Sequence, residues 1–407
     1  MLIAKTKFLA PFAALAMGMA TYAHAADDVT LGLAMPLSGP WARLGELSRM
    51  GAEMAVEDIN AAGGVKALGG AKLRLVVTDV GDSPEKAKNA AEQLLAANPN
   101  LSGGIGAYVS SFTLALTEVT ERAQIPWVTL SFASSITSRG FNFVYQTSPT
   151  AEKQAVDALP TIMKLAEEAV GEKPDRVGIV MDNTASPVNF TKPMREGLVD
   201  ELGLELVVDQ IFTPPLSDAG PMVQQVRTAR PDFLLLLPTA VPDIKLSLEK
   251  LTEFGLTRDR LPVIGNGGPM GSPDLLNIIG KEQLENMMFI TANWPSSAQQ
   301  ELQESFKQRT GQPWMPLDSI STYGHVWVLK EAVEMAASPD PVKVNQALKE
   351  MDLTTGPAEF FPGGRIKFAE NGRREDAPLV IVQWQKGVPV MVFPPEGATA
   401  EPIWPKP

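Results

Sequence analysis

The chain has 407 residues, 44% of them apolar, with no cysteine and a formal net charge of −12. The acidic balance argues against nucleic acid or an anionic membrane surface as a partner. The lack of cysteine rules out disulfides, thiol catalysis and a cysteine-borne lipid anchor, and the length exceeds one ordinary core and asks for two lobes.

The chain opens with Lys5 and Lys7, an apolar run from Phe8 to Ala20, and Ala23-His24-Ala25. That order reads as a cleaved export signal over residues 1–25, because the apolar run is too short to span a bilayer. No later stretch is long and apolar enough to span one either; Phe233 to Leu237 reads as a buried strand.

Strand and helix patterns then alternate. Val29 to Pro36, Leu73 to Asp79, Leu101 to Ala107 and Trp127 to Ser131 read as strands. Between them lies a helix carrying Leu47, Met50 and Met54 on one stripe with Gly51, Ala55 and Ile59, stopped by Gly63-Gly64. Ser83 and Pro84 suit the cap and first residue of a helix to Ala97, and another helix is expected from about Thr113 to Ala123. The pattern restarts after Pro149 with a helix from Glu152 to Glu168, a strand from Arg176 to Met181, a helix from Pro187 to Leu202 and a strand from Leu204 to Phe212. Pro214-Pro215 and Gly220-Pro221 read as one loop. Phe233 to Leu237, a helix from Asp243 to Phe254, and Pro262 to Gly265 continue a second sheet. Three helices follow, Ala298 to Arg309, Leu317 to Ala336 and Pro341 to Glu350, before a hairpin from Pro378 to Phe393 around Lys386-Gly387. Repeated strand–helix–strand winding predicts an α/β protein of two doubly wound, parallel-sheet lobes.

Catalytic constellations are scarce. His24 leaves with the signal, and His325 reads as a packed helix residue. One histidine and no cysteine offer no zinc set, and no EF-hand spacing is present. Gly103-Gly104-Ile105-Gly106 does not complete a dinucleotide fingerprint, and no P-loop occurs, so no metal or cofactor is expected. The glycines read instead as places where a strand end passes close to its neighbours. A hydrolase using Ser110 or Ser131 would have only His325 as its base.

Hydroxyls do recur at strand ends: Ser38 with Trp41, Ser110-Ser111-Phe112-Thr113, and Ser131-Phe132-Ala133-Ser134-Ser135. Ligands of open parallel sheets bind beyond the carboxyl ends of the strands. Helix starts there expose unpaired N–H groups, and serines add donors, an arrangement suited to a carboxylate.

Together with Met35-Pro-Leu-Ser-Gly-Pro-Trp41, Gly51-Ala-Glu-Met-Ala-Val-Glu-Asp-Ile-Asn-Ala-Ala-Gly-Gly64, Asp79-Val-Gly-Asp-Ser-Pro84 and Gln146-Thr-Ser-Pro149, these features resemble the type I periplasmic binding proteins of the Leu/Ile/Val-binding kind. That family comprises solute receptors of branched-chain and hydrophobic amino acid ABC importers. The resemblance implies a periplasmic, monomeric, non-enzymatic clamp that holds a small-molecule ligand between lobes closing on a hinge, then docks transiently on an ABC permease. It implies crossings near Thr147–Pro149, Thr291–Trp294 and Glu370–Asp376, with lobe one at 26–148 plus 292–372 and lobe two at 149–291 plus 373–407.

The resemblance also implies the site. The family's carboxylate-holding positions match Ser110, Ser131 and Ala133, with Ser134 if the register slips, beside Ser111; Trp41, Phe112 and Phe132 are candidates for an apolar wall. A lobe-two position often held by tyrosine falls on Ser186. The two positions whose acids pair an α-ammonium fall on Gly267, next to Asn266, and on Ala151. Burying an unpaired ammonium costs several kcal/mol. The expected ligand is therefore a carboxylate without an amine, aromatic or aliphatic, unless Asp182 or Glu152 supplies the missing charge. A branched-chain amino acid receptor is the alternative ligand class, and a ligand sensor of the same fold is the alternative role.

Overall fold

The computed structural model describes residues 28–256 and 260–404; the export signal expected over residues 1–25 lies outside them. Two separate sheets form the core. The first joins β1 (Val29–Met35), β2 (Leu73–Asp79), β3 (Leu101–Gly106), β4 (Trp127–Thr129) and β5 (Val144–Gln146), all parallel, in the order β2-β1-β3-β4-β5. The second contains β6 (Arg176–Asp182), β7 (Glu205–Phe212), β8 (Phe233–Leu237), β9 (Val263–Asn266) and β10 (Met288–Thr291). A two-residue ladder, β11 (Asp352–Leu353) with β12 (Ile366–Lys367), precedes the hairpin β13 (Val380–Gln385) and β14 (Val388–Phe393). The hairpin extends the second sheet, whose order is β14-β13-β10-β9-β8-β6-β7 and in which only β13 runs against the other strands.

Local chemistry accounts for many boundaries. Ser83 accepts from the Lys86 amide (3.2 Å) and opens Pro84–Ala97. Thr150 does the same for Ala151–Val170 through the Lys153 amide. Lys386 and Gly387 both take positive φ (56° and 81°), as a tight hairpin turn requires. Gly220-Pro221, expected within a loop, opens the helix Gly220–Ala229 instead. Proline at a helix start loses no hydrogen bond, because its N–H would have been unpaired there.

The chain leaves the first sheet after Gln146, enters the helix Ala151–Val170, and builds the second sheet up to Thr291. It then returns. The helix Leu317–Ala336 packs against Ala42–Ala61: Ser319 Oγ donates to Leu47 O and Thr322 Oγ1 to Ser48 O, each at 2.7 Å. Gly51 makes that approach feasible, since a Cβ there would sit 2.0 Å from Ser319 O. A final crossing runs beside the first: the Gln146 amide donates to Gly372 O (2.9 Å) and the Arg374 amide to Gln146 O (2.8 Å). The β3 glycines serve packing, as a Cβ on Gly104 would lie 2.0 Å from the Trp127 ring. His325 is fully buried, shares a 2.7 Å hydrogen bond with Thr147 Oγ1, and is held near pKa 3 by burial.

Candidate functional site

A narrow cavity of about 40 Å³ lies where the carboxyl-end loops of the two sheets meet. The first sheet contributes Tyr108, Val109 and Ser110 after β3 and Leu130, Ser131 and Phe132 after β4. The second contributes Ser186 after β6, Thr239 after β8 and Asn266 to Pro269 after β9. Leu317, at the start of the helix Leu317–Ala336, completes the wall.

Ser110 is the first residue of the helix Ser110–Arg122, which starts three residues before the sequence-based expectation. Its Oγ accepts from the amides of Phe132 and Ala133, both at 3.2 Å. With two N–H groups on its lone pairs, the Ser110 hydroxyl proton has no acceptor among the described residues. Ser131 is held differently. Its Oγ meets Thr113 Oγ1 (2.7 Å) and Thr129 Oγ1 (3.0 Å) and donates to Tyr108 O (2.8 Å). Its carbonyl accepts from Gln146 Nε2 and from Ser148 Oγ. Ser131 therefore braces the loops, while Ser110 presents an uncommitted donor.

On the facing wall, the Ser186 hydroxyl has no partner among the described residues. Asn266 Nδ2 donates to Gln154 Oε1 (2.8 Å) and Ile290 O (3.2 Å), which fixes its amide. Gly267 has φ 82° and ψ −175°, a region open essentially to glycine alone. A side chain there, acidic or not, would strain the loop and meet Phe132 at 3.3 Å. Ala151 is fully buried, and its amide donates to Phe132 O (2.7 Å).

Trp41, Ser111, Ala133 and Ser134 lie off this cavity. Trp41 packs edge-on against Phe112 (5.2 Å), and its Nε1 donates to Thr239 Oγ1 at 3.2 Å, joining the two walls. Ser111 Oγ accepts from the Ala185 amide (3.1 Å), a second bond between them. Ala133 is enclosed beside Ile136 and Val144. Ser134 Oγ donates to Glu152 Oε1. Ser38 contributes a hydrogen bond to Asp79, which caps the turn after β1. Arg43 pairs with Asp274 and bonds Gln312, a third tie across the molecule.

Asp182, the first acid named from the sequence, is not free for a ligand ammonium. Asp182 accepts from the amides and hydroxyls of both Thr184 and Thr239, at 2.6 to 2.9 Å. Burial raises its pKa, and those four bonds oppose the shift. Glu152 already receives Ser134, although its Oε2 is buried without a partner.

Among the residues that escaped the sequence reading, two carry unpartnered polar groups. Tyr108 follows the glycine-rich strand, has φ 67°, and carries a hydroxyl with no partner among the described residues. Burial, reinforced by the charges of Asp318 and Asp182, raises its pKa well above the usual tyrosine value. Asp318 is fully buried, both its oxygens lack partners, and burial raises it to about 7. No cluster of three or more metal-ligating side chains occurs among the described residues.

Two doubly wound parallel-sheet units, linked by repeated chain crossings and meeting around a small cavity at their strand ends, define a clamp for a small solute. The chain belongs to the periplasmic binding protein family, whose model matches residues 28–388, and its fold is that of the type I, Leu/Ile/Val-binding branch. It is 28% identical to Leu/Ile/Val-binding protein homolog 7 of Brucella suis biovar 1 over 94% of this chain and 96% of the relative. The leucine-binding protein of Thermotoga maritima superposes with a TM-score of 0.75 at 21% identity, over 89% of this chain and 97% of that one. An ABC transporter solute-binding protein of Rhodopseudomonas palustris BisB5, solved with 3,4-dihydroxybenzoic acid, gives 0.75 at 21% identity, over 92% and 99%. These relatives are solute-binding proteins, which fits a non-enzymatic role.

Proposed function

We propose that this chain is the exported, monomeric receptor of an ABC importer and that it captures a small carboxylate between two closing lobes. Lobe one is residues 26–148 with 292–372, and lobe two is 149–291 with 373–407. Residues 1–25 direct export and are removed, and the loaded, closed form docks on an inner-membrane permease. Closure is a population shift favoured by a ligand that touches both walls.

The observation that carries this reading is Ser110. It sits at a helix N-terminus on the cavity wall, saturated as an acceptor, with its proton uncommitted. Partial positive charge at the helix start and a directed O–H together favour an anion. Leucine and 3,4-dihydroxybenzoate, the ligands named for similar proteins, both carry a carboxylate.

The ligand favoured here is a carboxylate without an α-amine. Gly267 and Ala151 offer no acid, Asp182 is saturated, and the phenyl ring of Phe132 lies against the cavity. A thermal-shift screen of amino acids, aromatic acids, keto acids and short-chain amides tests this directly. Aromatic or aliphatic acids should stabilise the protein, and leucine, isoleucine and valine should bind more weakly than about millimolar, roughly −4 kcal/mol. A strong leucine shift would overturn the choice of ligand class. No response to any carboxylate would overturn the Ser110 assignment.

A further inference from the structure

Asp318 lies in the first turn of Leu317–Ala336, with no exposed surface and, apart from a weak contact with its own backbone amide, no hydrogen-bond partner on either carboxylate oxygen among the described residues. A buried carboxylate in that condition is costly. Protonation alone does not satisfy it, because the neutral acid gains an O–H that also needs an acceptor. Its neighbours point to the cavity. Gly268 lines the cavity and has no side chain, and the space its Cβ would take is filled by Asp318, with the two oxygens 2.6 and 2.7 Å from that point. Leu317, the preceding residue, lines the same cavity, and Tyr108, after β3, feels the Asp318 charge.

We propose that Asp318 selects the ligand: the solute carries, beside its carboxylate, an N–H or O–H donor that this carboxyl receives at the bare backbone of Gly268. The inference rests on the carboxylate reading above and narrows it. Asp318 is itself an acid able to pair an ammonium, but the two positions expected to do so, Gly267 and Ala151, offer none; the donor expected is therefore a hydroxyl, the ligand class is a small hydroxylated carboxylate, and leucine is the competing probe.

The test uses calorimetry at pH 8 on the full mature protein and on Asp318→Asn. The probes are benzoate against its monohydroxylated forms, hexanoate against its ω-hydroxy form, and leucine. In the unaltered protein at least one hydroxylated acid should bind about tenfold more tightly than its parent, the scale of a hydrogen bond to a charged group. In Asp318→Asn that ratio should fall below about threefold, while the parent acid changes by less than about twofold. Equal weakening of parent and hydroxylated acids would give Asp318 a purely structural role and overturn the proposal. So would an absence of any hydroxyl preference in the unaltered protein. A preference for leucine that disappears in the variant would keep Asp318 as the donor's partner and overturn the non-amine reading instead. Ligand-free melting gives a second readout. Asp318→Asn should melt no lower than the unaltered protein at pH 8; a clear drop, or failure to fold, would mean that the carboxylate has an internal partner and would overturn the proposal.

Discussion

The two walls of the cavity are built in opposite ways. On the β3/β4 side most loop hydroxyls are already committed, the exceptions being the Ser110 proton and the Tyr108 hydroxyl: Ser131 alone links Thr113, Thr129, Tyr108, Gln146 and Ser148. On the other side, the glycine-rich loop after β9 lies beside Ser186, which has no partner among the described residues, and Gly268 of that loop abuts the orphan carboxyl of Asp318, carried by the returning helix Leu317–Ala336. A saturated wall is a preorganised socket, because its geometry costs little to hold when a ligand arrives. An under-partnered wall gains its hydrogen bonds only on engagement, so it discriminates between ligands. The first wall therefore supplies the common anchor and the second supplies selectivity.

The contrast is sharpest in its response to pH. Asp318 is raised to about 7 by burial, so its native form holds a proton that the unfolded chain releases at lower pH. Its stabilising contribution is complete below the ordinary carboxylate pKa and disappears as pH rises towards 7. The span is up to about 4 kcal/mol at 1.36 kcal/mol per unit. Asp182 and Asp243 are also raised by burial and act with the same sign, so the difference from Asp318→Asn isolates the residue. Melting of the ligand-free protein should fall more steeply between pH 4 and 7 than melting of Asp318→Asn; parallel profiles would remove the contrast between the walls.

Ser131→Ala attacks the saturated wall. It leaves Tyr108 O and the Thr113 and Thr129 hydroxyls short of a partner in a buried site. The expected loss is ~2–3 kcal/mol of stability, visible in urea unfolding, with weaker binding as a consequence. Ser110→Ala should do the reverse. Ligand affinity should fall by ~1.5–3 kcal/mol, the worth of a hydrogen bond to a charged group, with a smaller change in melting. A calorimetric change of less than about twofold would remove Ser110 from the anchor.

Much of this architecture was legible because it is local. Leu73–Asp79, Leu317–Ala336, Pro341–Glu350 and the Lys386-Gly387 hairpin follow from apolar period, caps and turn residues. The short strand Val144–Gln146 and the buried Met288–Thr291 offered too few residues for a period to emerge. Hydroxyls at strand ends pointed to Ser110 and Ser131, and the family resemblance to Ser186, Asn266 and Gly267; all five line the cavity. The same rule also picked Ser111, Ser134 and Trp41, whose groups tie other loops together. A strand-end serine looks alike in sequence whether it meets a ligand or a neighbouring amide. Asp318 was invisible for a related reason. An acid in a helix's first turn reads as a partner of the helix dipole, and only the fold brings it against Gly268 from the other sheet's loops.

The smallest effect expected tests how the walls are joined. Trp41 reaches across to Thr239, whose amide and hydroxyl also hold Asp182, so its indole N–H ties the socket to the selective wall through that one residue. Trp41→Phe keeps a ring against Phe112 and deletes the bond. The bond exists only when the walls are together, so its loss weakens the closed form by ~0.5–1.5 kcal/mol, the net worth of one neutral hydrogen bond. Ligand affinity should drop about two- to tenfold, and the loss should appear as faster release, because closure holds the ligand in place. Stopped-flow release rates separate the outcomes. Unchanged release with slower capture would place Trp41 in the open form, and the tie between the walls would then rest on Ser111 with Ala185 and on Arg43 with Asp274.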